Sequence, residues 1–299
     1  PRQIANAHTL FNVVNTLLFI GFTGPIARVV DRLVPRRLGV GPDESAPKYM
    51  QEAYLDTPAM ALDSLRHEIE RLGRRTIRFG EEAAPVFLNG GKYVIKTEVE
   101  KWRVNQRLFD EINRYIRKIS ASELTTEQTR RVAALTAVAS YVQNVGETFA
   151  VNMAAIARER DRRGVRFSRE TLGRIATLAG EVRDAFKMSI DAIEDSLLAH
   201  GVIALKPRIR EMTEDAIEHL SKRLMSSEPN RSLLYRLETQ VVEVLQREYY
   251  FAKKIAKEIV RVMELSDTDQ ETQTELAGEN GEADAAGRSG SGPSRPAAP

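Results

Sequence analysis

Apolar residues recur at intervals of three and four through most of the chain between residues 58 and 265, which is the spacing of one face of an α-helix. Glycine, proline or helix-capping residues separate six such stretches. Their apolar faces cover residues 62–79, 99–119, 135–156, 172–197, 209–224 and 234–262. No window alternates with a period of two, so the pattern predicts an all-α domain without a sheet.

The third and sixth stretches resemble each other. Residues 149–154 read Phe-Ala-Val-Asn-Met-Ala, and residues 251–256 read Phe-Ala-Lys-Lys-Ile-Ala. Short connections between long amphipathic helices favour antiparallel neighbours. We therefore predict two similar three-helix bundles that together form one helical bundle domain over residues 58–265.

A different pattern precedes this domain. Between Arg2 and Arg28 no residue carries a formal charge, apart from His8 if it is protonated. About 20 apolar residues are enough to cross the hydrocarbon core of a bilayer, so we predict a transmembrane helix within residues 1–34. The arginines that follow it are Arg28, Arg32, Arg36 and Arg37. By the positive-inside rule, residues after 37 are expected in the cytoplasm.

Three polar residues share one face of the predicted transmembrane helix. His8, Asn12 and Asn15 are spaced at i, i+4 and i+7. Polar groups in hydrocarbon are costly unless they meet other helices or a wet cavity. They would either form interhelical hydrogen bonds or line a substrate path. Both interpretations require partner helices, and the chain begins at Pro1 rather than methionine, so we expect an upstream region.

The helical domain has two flanking segments of distinct composition. Residues 35–57 are rich in proline and glycine and are predicted to form a linker. Residues 266–299 contain seven acidic residues against two arginines and almost nothing apolar. Such a segment cannot offset the entropy lost on ordering, so we predict a disordered acidic tail.

Composition narrows the classes of function. The chain has no cysteine, which excludes disulfides, thiolate zinc sites and a cysteine nucleophile. A formal net charge of +2 does not indicate a nucleic-acid partner. Neither a nucleophile elbow nor a pair of acids for hydrolysis is present. We therefore expect a protein that is not an enzyme.

A basic cluster lies between the third and fourth stretches. Near a membrane such a cluster can hold anionic lipid, and guanidinium groups can also bind phosphate in a bidentate manner. The alternative is a solvated hairpin, which the interleaved Glu159 and Asp161 favour. The cluster consists of Arg158, Arg160, Arg162, Arg163, Arg166 and Arg169.

Three parts of the sequence together resemble the C-terminal part of bacterial sodium/phosphate cotransporter family proteins. The first is Ile-Ala-Asn-Ala-His-Thr-Leu-Phe-Asn at residues 4–12. The second is Pro-Lys-Tyr-Met at residues 47–50, followed by Leu-Asp-Thr-Pro-Ala at residues 55–59. The third is the six-helix region, which resembles a PhoU-like domain, the helical regulator of phosphate transport.

The resemblance implies the last transmembrane segment and the cytosolic PhoU-like regulatory domain of a sodium-dependent phosphate symporter in a bacterial cytoplasmic membrane. Sodium and phosphate would be the transported species. The implied partners are upstream transporter helices, the lipid bilayer and phosphate-signalling proteins. The alternative is a membrane-anchored PhoU-like adaptor that regulates a separate phosphate transporter or sensor kinase.

PhoU-like proteins also carry metal-binding motifs of the type Glu-x-x-x-Asp on their third and sixth helices. Hard metal ions need several carboxylate oxygens. Glu147 and Glu248 are the candidate ligands in this sequence. The alternative is that each is an acid on the helix surface or a buried, hydrogen-bonded acid. We therefore expect no firm metal site. The aligned positions are Asn144 and Thr148, or Gln143 and Glu147 with the register shifted by one, and Gln246 and Tyr250 with Glu248 between them.

Overall fold

The computed structural model of the chain describes residues 45–225 and 229–288, with side chains up to residue 263. Within these ranges the regular structure is helical and contains no strand, as the periodicity predicted. A short 3₁₀ turn, Glu52–Tyr54, precedes the α-helices. They are α1 (Pro58–Asn89), α2 (Lys92–Ser120), α3 (Thr126–Thr148), α4 (Ala154–Arg163), α5 (Arg169–Asp191), α6 (Leu198–Ala204), α7 (Lys206–Leu224) and α8 (Arg231–Arg288).

Local sequence signals set the helix boundaries. Pro58 occupies the first turn of α1, where its missing N–H costs no hydrogen bond. Thr125 and Gln128 form a capping box at the start of α3, and Ser168 caps α5 by accepting a hydrogen bond from the Thr171 N–H. Gly164 ends α4 in the left-handed conformation, with φ of 64°.

The helices form two three-helix units. α1, α2 and α3 pack on one another, and α5, α7 and α8 do the same. α3 continues through a π-helical turn, Phe149–Met153, into α4. The rod formed by α3 and α4 packs lengthwise on α8 and so joins the units. These two are antiparallel, because Tyr141 stacks on Phe251 while Glu159, further along the rod, pairs with the earlier residue Arg236.

Two apolar clusters fill the interior, and each draws residues from both units. One contains Phe79, Phe87, Trp102 and Phe149 together with α8 residues between 234 and 249. The other contains the first half of α1, the second half of α2, α3 and the α8 residues around Ile255. The units therefore share their cores, and neither buries its apolar surface independently.

Trp102 shows how tightly the first core is packed. Its indole is 2% exposed and lies against Gly146 of α3. A Cβ atom at position 146 would lie 1.9 Å from the Trp102 Cη2 atom, so no larger residue fits without a shift of the ring. Phe79 packs on the same indole, with ring centroids 5.2 Å apart.

Three predicted boundaries differ from the structure. The fourth stretch was predicted to reach residue 197, but α5 ends at Asp191 and a turn leads into the short helix α6. Residues 45–57, part of the predicted linker 35–57, pack on the domain. The backbone of α8 is helical to Arg288, within the segment 266–299 that we predicted to be disordered, and residues 289–299 lie outside the described residues. Its poor apolar content argued against packing, but Glu, Gln and Ala favour helix and no proline interrupts the segment before Pro293.

The predicted transmembrane helix, residues 1–34, and the first part of the predicted linker lie outside the described residues. In the part of the chain that the structure describes, no helix combines the length and apolar character needed to span a bilayer.

Replacing Gly146 with alanine is expected to destabilise the fold by about 2 kcal/mol or more, because overpacking in a filled core forces side chains out of place. Urea unfolding of the purified chain, followed by far-UV circular dichroism, measures the change.

Gly180→Ala is the matched control. Gly180 lies inside α5, and a Cβ atom there would meet nothing within 4 Å. Alanine should therefore leave the stability unchanged or raise it by about 0.5–1 kcal/mol through helix propensity. Equal effects of the two substitutions would contradict the tight Trp102–Gly146 contact.

Candidate functional site

Residues 45–57, here called the entry segment, are held on the helical domain by one buried carboxylate. Glu68 of α1 is fully buried. Its Oε2 atom accepts hydrogen bonds from the backbone N–H groups of Lys48 and Tyr49, both at 2.7 Å. Its Oε1 atom accepts one from Arg71 at 2.5 Å, and Arg71 also donates to the Ala46 carbonyl at 3.0 Å. Glu68 therefore fixes the path of the backbone that enters the domain.

A second set of contacts ties the entry segment to α2. The Tyr115 hydroxyl donates to the Gln51 carbonyl at 3.1 Å and lies 3.3 Å from the Ser64 hydroxyl. Burial raises the pKa of Tyr115, so the hydroxyl remains a donor at physiological pH. Lys118 pairs with Glu52 at the surface. Both helices that receive the segment belong to the first unit.

Apolar contacts complete the docking. Met50 and Leu55 pack against the core cluster that contains Leu65 and Ile69. The Tyr49 ring lies 5.5 Å from that of His67, centroid to centroid. Hydrogen bonds to a buried charge are stronger than neutral ones, at roughly 1.5–3 kcal/mol each. The entry segment is therefore fixed on α1 and α2 by polar and apolar contacts together.

An open groove of about 680 Å³ lies on the other side of α1. It is bounded by the first turns of α1, by α3, by the turn after α5 and by α8 near residue 259. Arg66 lies in its wall and contacts His67, which packs on the entry segment. The beginning of α1 therefore forms one wall of the groove and also contacts the entry segment.

The residues predicted to line the transmembrane helix, His8, Asn12 and Asn15, lie outside the described residues.

Arg160 of the predicted basic cluster and its neighbour Asp161 form hydrogen bonds with the turn between α1 and α2. Arg160 is 5% exposed, and its Nη2 atom donates to the Gly90 carbonyl at 2.6 Å. Burial lowers the pKa of this guanidinium. The neighbouring Asp161 carboxylate accepts the Lys92 N–H at 3.2 Å. Arg160 and Asp161 thus satisfy backbone groups at the end of one helix and the start of the next.

The other arginines of the cluster stay at the surface. Arg162 and Arg163 both pair with Glu159, which also lies 3.8 Å from Arg236. The side chains of Arg158, Arg166 and Arg169 are exposed. The six arginines therefore occupy different environments, and the structure does not gather them around one ligand.

The two weak metal candidates also differ. Glu147 is exposed. Glu248 is half-buried, and its Oε1 atom is enclosed and accepts no hydrogen bond from the described residues. Burial raises the pKa of Glu248 to about 8. Among the residues described, no three His, Asp or Glu side chains come close enough to hold a metal ion. The donor set therefore does not fit the metal motifs that the resemblance implied.

Comparison with known proteins identifies the fold. No protein-family model matches the chain. It is 24% identical over 147 residues to the putative inorganic phosphate export protein YjbB of Salmonella typhimurium strain LT2. The aligned region covers 47% of this chain and 25% of that protein. The chain thus spans about a quarter of the length of this relative.

The crystal structure of PhoU from Pseudomonas aeruginosa superposes with a TM-score of 0.55 at 15% identity. The match covers 71% of this chain and 98% of PhoU. At this identity the likeness establishes the fold, so the prediction of a PhoU-like helical domain is confirmed.

Glu68→Gln keeps the volume of the side chain but removes the charge that attracts two backbone N–H groups and Arg71. Losing charge-assisted hydrogen bonds of roughly 1.5–3 kcal/mol should speed amide hydrogen exchange at Lys48 and Tyr49 by about 10- to 100-fold. Hydrogen–deuterium exchange with mass spectrometry on the purified chain measures this.

Glu82→Gln is the control, since Glu82 is also on α1 but is exposed and lies more than three turns from Glu68. It should leave exchange in the entry segment at the wild-type rate. Unchanged exchange in Glu68→Gln would mean that the segment is held by other contacts.

Glu248 should make stability depend on pH. Its pKa is about 8 in the folded chain against an ordinary value of 4.5. Between these values the folded state holds the proton and the unfolded state has released it, so stability falls as pH rises, by up to about 1.4 kcal/mol per pH unit. Urea unfolding at a series of pH values from 5 to 9 measures the slope.

Glu248→Gln cannot ionise and should flatten this slope. Glu243→Gln removes an exposed carboxylate from the same helix and should leave the slope as in the wild type. Identical slopes in all three proteins would show that the Glu248 carboxylate is solvated.

Proposed function

We propose that the chain is the regulatory helical domain of a membrane phosphate-transport protein, joined to the transporting part through the entry segment. Residues 1–34 would supply a transmembrane helix of that part, with His8, Asn12 and Asn15 facing partner helices. The protein would lie in a bacterial cytoplasmic membrane, with residues after 37 in the cytoplasm. Phosphate would be the transported species and sodium the coupling ion.

Three observations support this proposal. The helices have the fold of PhoU, the sequence is related to a protein named for phosphate export, and the entry segment is docked through buried hydrogen bonds. The last observation carries the most weight for regulation. A docked connection lets a change in the domain bias the transporter, because both then share one packed element.

Glu68 is the residue through which this coupling acts. It receives the entry segment on one side and lies in α1, which packs against α2, α3 and α5. Contacts between α1 and α5 include Gly73 against Ile190 and Arg74 paired with Asp191 at 3.2 Å. A rearrangement of the second unit could therefore reach the entry segment through the packed contacts between α5 and α1.

The test is phosphate flux in cells that carry the complete gene encoding this chain. Radiolabelled phosphate movement is compared between wild type, Glu68→Gln and Glu82→Gln after cells are shifted from phosphate-poor to phosphate-rich medium. Glu68→Gln should move phosphate but lose most of the change in rate that follows the shift, because the domain no longer holds the entry segment. Glu82→Gln should respond like the wild type.

Further arms separate the parts of the proposal. Replacing sodium with choline should abolish the flux, and a flux that persists would remove sodium from the proposal. A normal response in Glu68→Gln, with rapid amide exchange in its entry segment, would overturn the coupling role. Flux that depends on another transporter gene would identify the chain as a membrane-anchored adaptor.

A further inference from the structure

Four lysines lie together where α6 runs into α7 beside α8. Lys206 is the first residue of α7. The other three, Lys253, Lys254 and Lys257, lie on α8. Lys257 follows Lys254 by three positions and Lys253 by four, and both spacings bring helix side chains together. α6 packs on this part of α8, where the Tyr249 hydroxyl donates to the Val202 carbonyl at 3.0 Å. We call these four residues the lysine patch.

The lysine patch has no acidic counterpart in the described structure. None of its four ammonium groups lies within 4.0 Å of a carboxylate there, in contrast to Lys101, Lys118 and Lys222, which pair with Glu98, Glu52 and Glu218. The ammonium groups of the lysine patch instead repel one another, because like charges at short range raise the electrostatic energy.

Lys253 is at the centre of the lysine patch. It is half-buried, and its Nζ atom lies 5.8 Å from the centroid of the Tyr249 ring. The pKa of Lys253 is lowered by burial first and then by Lys206, Lys257 and Lys254. Lys254 is placed similarly, with its Nζ atom 5.6 Å from the Tyr250 centroid. Partial burial strengthens the attraction of these groups for an anion, because water screens it less.

We propose that the lysine patch binds a phosphate group, carried by a lipid headgroup or by a small solute. A phosphate group offers several acceptor oxygens and more than one negative charge, and each ammonium has three N–H donors. One such group can therefore engage several lysines at once and remove their mutual repulsion. The site shares no residue with the entry segment and is independent of the transport proposal.

The experiment is lysine footprinting on the full chain. Acetylation rates of individual lysines are followed by mass spectrometry in four conditions. Two use detergent, with inorganic phosphate or with sodium chloride of equal ionic strength, and two use vesicles, of phosphatidylglycerol or of phosphatidylcholine. Binding should slow acetylation of Lys253 and Lys257 about five-fold or more, the factor that corresponds to the usual worth of one lysine at an anionic surface.

Lys92 and Lys96 are the internal reference. They are exposed, have the same i, i+4 spacing on α2, and should react at one rate in every condition. Slowing by inorganic phosphate and not by chloride assigns a free phosphate-bearing solute. Slowing by phosphatidylglycerol and not by phosphatidylcholine assigns a lipid headgroup. Equal rates in all conditions, or equal slowing by chloride, overturn the proposal.

A pair of double variants tests whether the lysines act together. Lys253→Gln with Lys257→Gln should abolish the slowing at Lys206 and Lys254. Lys92→Gln with Lys96→Gln removes the same charge at the same spacing and should preserve it. Slowing at Lys206 and Lys254 that survives the first double variant would also overturn the site.

Discussion

The architecture depends on the close antiparallel packing of the rod formed by α3 and α4 against α8. Both elements bury small residues, which suit close helix packing: Ala150 and Ala154 on the rod, and Ala252 and Ala256 on α8, are all fully buried. Since each of these two helices also completes its own three-helix unit, their contact decides how both units are oriented. The shared cores follow from it, because residues of α8 contribute to both apolar clusters. Loss of this contact would expose apolar surface in both units simultaneously.

Periodicity predicted the helical stretches well, because a packed helix must present an apolar face at fixed intervals. The likeness of residues 149–154 and 251–256 also predicted that the third and sixth stretches are equivalent, and they form the central pair. The docked entry segment was missed. Pro47 and the proline- and glycine-rich sequence before it predict a segment without long helices. Residues 45–57 have only the 3₁₀ turn, but a segment can pack without being helical. The signal was Glu68, an acid on the otherwise apolar face of α1 that needs donors from elsewhere.

Glu68 and Glu248 show why a buried acid in a sequence does not identify its role. Both lie on helices within an apolar pattern. Glu68 meets two backbone N–H groups and an arginine, so its charge organises the neighbouring chain. Glu248 has an enclosed oxygen without a donor among the described residues, and burial raises its pKa to about 8. The difference comes from residues about 20 positions away in the first case, and no local pattern contains that information.

The roles of the arginines and lysines also depend on neighbours that are distant in sequence. The arginines between α4 and α5 are conspicuous in the sequence, yet Glu159 and Asp161 lie among them, and Arg160 is used to complete a helix end. The lysine patch is less conspicuous, because Lys206 is 47 positions from Lys253 and the two meet only when α7 packs on α8. What distinguishes a site for an anion from a solvated surface is the balance of charge in three dimensions. Cations that already have carboxylate partners gain little from a ligand, whereas unbalanced cations held together by packing gain attraction and lose repulsion when an anion binds.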